Sequence, residues 1–375
     1  MPFRWLGFIS KPEESLEERF YLHKHLCLNV RTNKLICQRC EQVCPVKSIK
    51  LEKDNILIDD CKKCGLCAVA CPSGVFDELW NAFYQVINVV KDSRPDIWVT
   101  CHNTRAVKSG LQLNCLGELT SELVFYMLQK GIGRVQVLYE PDTCRECMYN
   151  SGQKVWEENL QQLSRIYPAE TQLFNLYEDA AMIKESQDSE VDFSRRSLLR
   201  NWAANTQQLI GELIPGPSAN YSPHPWEQNL SLRRKLFVYM LNNLDREKTA
   251  EIQLGHLRHP EINKDCSFCG SCAKLCPSGA MKLEEAINKE ITLLVNADEC
   301  NMCGLCAAIC PADAITADQK LNNAQLSRQV ILVKGTSYHC RKCSLEYYDH
   351  LGLEELICPD CKNSHFNYEM LWPEY

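Results

Sequence analysis

No run of about 18 consecutive apolar residues, the length of a membrane-crossing helix, occurs in the 375-residue chain. The opening MPFRWLGFISKPEESLEERF has only a short apolar patch before its charges. No secretory signal is therefore expected there, and the chain is read as cytoplasmic, with peripheral association to a membrane complex left open. An excess of basic charge is also missing: 41 Lys and Arg stand against 48 Asp and Glu, net charge -7, which argues against a nucleic-acid binder. A G-x-G-x-x-G fingerprint, a phosphate loop and an H-E-x-x-H pair are all absent, so any flavin or nicotinamide would have to come from another protein.

What the chain has in excess is cysteine, 24 residues. In a reducing compartment these should not be disulfides, and their spacing is too regular for scattered core thiols, so they read as metal ligands. One phrase occurs four times, as CQRCEQVCP at 37–45, CKKCGLCAVACP at 61–72, CSFCGSCAKLCP at 266–277 and CNMCGLCAAICP at 300–311. This is an internal repeat in two pairs. Three copies are complete C-x2-C-x2-C-x3-C-P motifs; the first lacks a cysteine three residues before Cys37, and Cys27 is the nearest upstream thiol. Three thiolates on a tight loop can hold three irons of a 4Fe-4S cube, while the fourth, leaving on a short helix before Pro, ligates the neighbouring cube. The glycines at 65, 270 and 304 supply backbone freedom where the loop wraps the metal.

On these motifs the chain resembles the bacterial two-cluster 4Fe-4S ferredoxin family over residues 27–80 and 262–318. The resemblance implies Cys61, Cys64, Cys67 and Cys44 on one cube of the first module, and Cys37, Cys40 and Cys71 with Cys27 on its neighbour. In the second module it implies Cys266, Cys269, Cys272 and Cys310 on one cube and Cys300, Cys303, Cys306 and Cys276 on the other. The departure is Cys27: nine residues, LNVRTNKLI, separate it from Cys37, so the loop must bulge, and a three-iron cluster or a non-cysteine ligand is the alternative. A zinc site or buried free thiols are the competing reading for the other fifteen, but zinc closes with four ligands and this motif offers three plus one. SIKLEKDNILIDD and AMKLEEAINKEITLLVNADEC each read as strand, turn, strand. Modules this small should depend on their metal for stability.

Residues 96–180 change character. DIWVTCH and VQVLYEPD are strand-like, and TSELVFYMLQKGIG between them is an amphipathic helix closed by Gly131, which is β-α-β grammar. Cys101, Cys115 and Cys144 fall where strands end, with Cys147 three residues on, at the edge where open α/β sheets place ligands. This block loosely resembles the iron-sulfur delta subunit of the methyl-viologen-reducing hydrogenase family, which implies a 2Fe-2S cluster on Cys101, Cys115, Cys144 and Cys147. Buried cysteines acting as small hydrophobes, or a redox pair at Cys144 and Cys147, are the alternatives. His102 is read as an extra ligand or a plain loop residue.

Residues 184–232 read as a connector; its SRRSLLR run at 194–200 looks like a twin-arginine signal but lies in the interior with no apolar region after it. LSLRRKLFVYMLNNL at 230–244 is amphipathic and is expected to dock on the second module. Near the C-terminus, Cys340 with Cys343 and Cys358 with Cys361 form two C-x2-C knuckles fourteen residues apart, a four-sulfur tetrahedral site. The pair resembles zinc ribbons and, through CPDC, rubredoxin-type iron modules, with Ser344 and Lys362 where Gly often stands. Zinc is favoured over iron.

The sequence thus predicts a multidomain α+β chain in which two ferredoxin-like dicluster modules, 20–82 and 256–322, flank a small α/β domain, 95–182. A linker with amphipathic helices at 183–245 and a zinc-ribbon-like module at 328–375 complete it. The expected function is electron transfer through four 4Fe-4S clusters between donor and acceptor oxidoreductases, with no catalytic residue of its own. The alternative is an oxidoreductase whose central domain reduces a thiol or disulfide.

Overall fold

The computed structural model describes residues 22–91, 94–104, 110–167, 172–178, 230–243, 258–320, 329–350 and 356–362. The SRRSLLR run and most of the predicted connector lie outside them. The chain forms two compact units, Met1–Ser218 with Ser231–Asn243, and Ala219–Leu230 with Leu244–Tyr375.

The first unit begins with the incomplete motif. Cys27 starts the short helix α1 (Leu28–Thr32), which ends on Asn33 in a left-handed conformation, φ 51. Asn29, fully buried, draws the returning chain back: its Nδ2 donates to the Cys37 carbonyl at 2.8 Å, and its Oδ1 accepts from the Ile36 and Cys37 amides, both at 2.9 Å. One side chain thereby closes the nine-residue bulge. Helix α2 (Arg39–Val43) follows, then the antiparallel hairpin of β1 (Ile49–Leu51) and β2 (Ile56–Ile58) predicted from SIKLEKDNILIDD. Helix α3 (Leu66–Ala70) carries the second motif, and α4 (Asn81–Val89) leaves the module with Ala82, Phe83 and Val86 inaccessible to water.

The α/β segment shares this unit. Strands β3 (Arg94–Cys101), β4 (Gly110–Leu113), β5 (Ile132–Leu138) and β6 (Phe174–Tyr177) form a parallel sheet in the order β4-β3-β5-β6. Helix α5 (Ser121–Gln129), capped by the Thr120 hydroxyl at the Leu123 amide, packs on β5. The short α6 (Pro141–Arg145) and the long α7 (Ser151–Ile166) follow β5. The strand order reverses direction at β3, so the loops after β3 and β5 open a crevice at the carboxyl edge.

Helix α8 (Leu232–Asn243) corrects one expectation. It belongs to the first unit, where Tyr239 meets Tyr126 of α5 with ring centroids 5.4 Å apart. Asp77 accepts the Leu232 amide at 2.7 Å, the Ser231 hydroxyl accepts that of Arg234 at 3.2 Å, and Arg233 pairs with the buried Glu122 at 3.3 Å. Its apolar face was legible in the sequence, but a helix's partner depends on where its polar residues find complements, and here these come from 77 and 122.

In the second unit β7 (Arg258–Ile262) pairs with β10 (Ile315–Lys320), bracketing the module, and β8 (Met281–Glu285) with β9 (Glu290–Asn296). Helices α9 (Ser271–Lys274) and α10 (Leu305–Ala308) carry the third and fourth motifs. The C-terminal hairpin of β11 (Gln329–His339) and β12 (Glu346–His350) extends the β8–β9 sheet to the order β12-β11-β9-β8. The knuckle segment and the second module therefore share hydrogen-bonded strands. Among the described residues no helix is long and apolar enough to cross a membrane.

Asn29→Ala leaves the Cys37 carbonyl and two amides without their partner. These groups are half-buried and partly regain water, so the loss of unfolding free energy should be about 1–3 kcal/mol in all, read as a lower denaturant midpoint. A midpoint equal to wild type would show that the bulge is held by other contacts.

Candidate metal centres

The cysteine loops are built to one plan. In each complete motif the residue before the second cysteine and the glycine after it are left-handed: Lys63 and Gly65 (φ 56 and 76), Phe268 and Gly270 (53 and 72), Met302 and Gly304 (49 and 77). The turn after each C-P pair repeats too, with Lys47, Gly74, Gly279 and Asp313 all at positive φ. Such alternation turns successive amides toward one side. Accordingly Cys44 Sγ accepts from the Ser48 amide and Cys310 Sγ from the Ala314 amide, both at 3.3 Å, and Cys61 Sγ from the Lys63 amide at 3.4 Å. The three motif glycines stand where left-handed backbone was expected, and a Cβ on Gly65 would also overlap the Glu118 carboxylate.

The thiols gather crosswise. Burial pushes the Cys40 thiol well up, and the neighbouring thiols of Cys71, Cys37 and Cys27 push it further. Cys64, raised to about 11 chiefly by burial, has Cys44 and Cys61 beside it; Cys67, buried and raised still more, faces Cys64 and Cys61. In the second unit Cys266 has Cys269 and Cys310 as neighbours, while Cys303 has Cys300, Cys276 and Cys306. Burial lifts Cys272 and Cys306 to about 12 each. One cavity is lined by Cys44, Cys61, Cys64 and Cys67, and another by Cys276, Cys300, Cys303 and Cys306 together with Cys272. Buried sulfurs converging in this way can be ionised only if cations share the space, so the residues fit iron-sulfur clusters.

The C-terminal quartet is of another kind. The ligand atoms of Cys340, Cys343, Cys358 and Cys361 all lie within 4.8 Å of one another, the only such group among the described residues. Four sulfurs that close together suit a single ion, whereas a cube holds its ligands further apart. The amides of Cys358, Cys343 and Lys342 pull the Cys340 thiol down to about 6, which favours the thiolate a metal needs. Ser344 adopts the left-handed conformation, φ 63, where related knuckles place Gly. Lys362 is the last residue of the short helix α11 (Pro359–Lys362).

The central cysteines stand at the carboxyl edge of the parallel sheet as expected, with Cys144 on α6 rather than in a loop. Cys144, lifted to about 11 mainly by burial, has Cys101 and Cys147 nearby; Cys115, also raised by burial, has Cys64 and Cys101. Cys115 and Cys147 accept amides from Gly117 and Tyr149 at 3.4 and 3.3 Å. His102 bonds the Asn114 carbonyl at 2.6 Å and its ring lies 4.9 Å from that of Tyr149, an arrangement that ties neighbouring loops together. This edge faces the first module: Asn114 donates to the Lys63 carbonyl at 2.8 Å, where Asn81 of α4 also donates at 2.9 Å, and Ser151 of α7 donates to the Val43 carbonyl at 2.7 Å.

Two residues at these centres had no signal in the sequence. Asn29 is one. The other is Glu118, fully buried, whose Oε2 accepts the Ala82 amide at 3.0 Å at the start of α4 while its own carbonyl accepts from Trp80 Nε1 at 3.0 Å. Burial pushes its carboxyl up to about 8. A lone acidic residue in GEL gives no warning of such a role, because its partners come from residues 80–82.

Residues 265–314 match the family model of the 4Fe-4S dicluster domain. No curated protein matches the chain. The match spans both complete motifs and the β8–β9 hairpin between them, so the second module is a 4Fe-4S ferredoxin-like module. Together with the cysteine groups it points to iron-sulfur electron transfer, and the quartet at 340–361 could bind a metal.

Glu118 titrates near 8 in the folded chain against an ordinary 4.5. A raised acid of this kind contributes stability that is complete below 4.5 and is lost as pH rises through about 8. Glu118→Gln keeps the acceptor for Ala82, so the unfolding midpoint of wild type relative to the variant should fall between pH 5 and pH 9; a pH-independent difference would contradict the assignment. At the knuckles, Cys343→Ser should remove one metal ion per chain without loss of acid-labile sulfide. Loss of sulfide in that variant would mean the quartet is not a single-ion site.

Proposed function

We propose that the protein is an electron-transfer iron-sulfur protein, or a subunit of an oxidoreductase complex, in which four 4Fe-4S cubes carry electrons between donor and acceptor proteins of the cytoplasm. The observation that carries this reading is the crosswise grouping of thiols: one cavity is lined by Cys61, Cys64 and Cys67 with Cys44, and another by Cys300, Cys303 and Cys306 with Cys276 and Cys272. The ligand sets are Cys61, Cys64, Cys67 and Cys44; Cys37, Cys40, Cys71 and Cys27; Cys266, Cys269, Cys272 and Cys310; and Cys300, Cys303, Cys306 and Cys276.

A bound cube exchanges one electron with little change in geometry, at a potential set by charge, hydrogen bonds and exposure. The chain's own part is to hold each thiolate on a loop whose amides face the sulfur, and to exclude water from Cys67, Cys40 and Cys272. Cys101, Cys115, Cys144 and Cys147 are proposed as a 2Fe-2S site, supported by their common sheet edge. The closeness of Cys115 to Cys64 supports passage of electrons between that site and the first module. The proposed ion at Cys340, Cys343, Cys358 and Cys361 is structural zinc, fixing the hairpin that extends the second module's sheet. A thiol-reducing role for the central domain is the second reading, since the TCREC segment lacks the aromatic and Pro context of thioredoxin-like pairs.

Anaerobically purified protein should contain about sixteen irons in cubes, with matching sulfide. Colourless, iron-free protein that stays folded would overturn the reading. Cys27→Ser should lower the count by about one to four irons, and an unchanged count would remove Cys27 from the ligand set.

A further inference from the structure

The fourth motif carries an asparagine, Asn301, after its first cysteine, where the other two complete motifs have Lys62 and Ser267. Lys62 at the equivalent position reaches into solvent and pairs with Asp60 at 2.6 Å. Asn301 does the opposite. Its Nδ2 and Oδ1 are both shielded from water, and neither has a hydrogen-bond partner. A buried amide with no bond made is rare in folded proteins and calls for an unseen acceptor or donor. Asn301 also forms part of the wall of the cavity lined by Cys276, Cys300, Cys303 and Cys306, and the left-handed residues Met302 and Gly304 fix the loop around it.

Building on the electron-transfer reading, we propose that the Asn301 side chain donates its Nδ2–H to a sulfur of the cube held by those four cysteines and raises that cube's potential above its neighbour's. A cube presents only acceptor sulfurs, so it is the amide donor that it satisfies. Hydrogen bonds to cluster sulfur favour the more negative, reduced state and so raise the potential. The two cubes of the second module are held by loops of the same backbone plan. Asn301 gives one of them an additional donor, and an electron entering the module settles on that cube.

The test is an EPR-monitored redox titration of the full-length chain, purified anaerobically, as wild type, Asn301→Leu and Asn301→Asp. The Leu side chain fills similar space without a donor, and Asp keeps the amide's shape while adding negative charge. One titrating component should move to lower potential in both variants, further in Asn301→Asp, while the rest stay in place and the iron content matches wild type. Measuring both variants keeps the proposal exposed if the Leu side chain expels iron. Iron-replete variants whose components all titrate at the wild-type positions would overturn this proposal alone. Iron-free wild type would overturn the electron-transfer reading and this proposal with it.

Discussion

Sulfur placed away from water governs this molecule. A thiolate in a low-dielectric pocket is costly, and several together repel one another. The described structure nevertheless draws Cys67 in among Cys64, Cys61, Cys40 and Cys71, and Cys303 in among Cys300, Cys276 and Cys306. Short helices and two-stranded hairpins of three to seven residues bury too little apolar surface to impose such crowding unaided. The loops answer with left-handed turns and inward amides, which supply partial positive charge, and the remaining demand is for cations.

The first module does not end at its last cysteine. Glu118 and Trp80 cross-link it to the turn after β4, Asn114 and Asn81 converge on the carbonyl of Lys63, and Asp77 caps a helix 155 residues further along. The Glu118 contacts are buried beside the inaccessible Trp80, Phe83 and Leu119, whereas the two at Lys63 lie at the surface. Buried polar groups tolerate only partners of the right geometry, so Glu118 ties the turn that carries Cys115 to the first module. The second unit follows the same economy of parts, since its ferredoxin hairpin and its knuckle hairpin are neighbours in one sheet.

Local rules explain what could be read from the chain in advance. C-x2-C-x2-C-x3-C-P needs a left-handed residue after its second cysteine, and glycine stands there three times. The hairpins at 49–58 and 281–296, the strands at 94–101 and 132–138, and the helix closed by Gly131 were written in alternation and periodicity. Ser344 departs from the usual glycine yet takes the glycine conformation, φ 63. The docking of residues 232–243 departs from expectation, because an amphipathic stripe says that a helix is covered and not by what.

Spacing along the chain alone determined which cysteines form loops, where those loops bend, and that the repeats come in pairs, because ligand geometry and backbone sterics act within a dozen residues. Tertiary structure alone decided that Asn29 closes the bulge after Cys27, that Glu118 joins the first module to the α/β sheet, and that Asn301 turns its amide away from water. Each of those outcomes depends on a hydrogen bond or a burial whose other half lies in a different element, and no local pattern of residues encodes it.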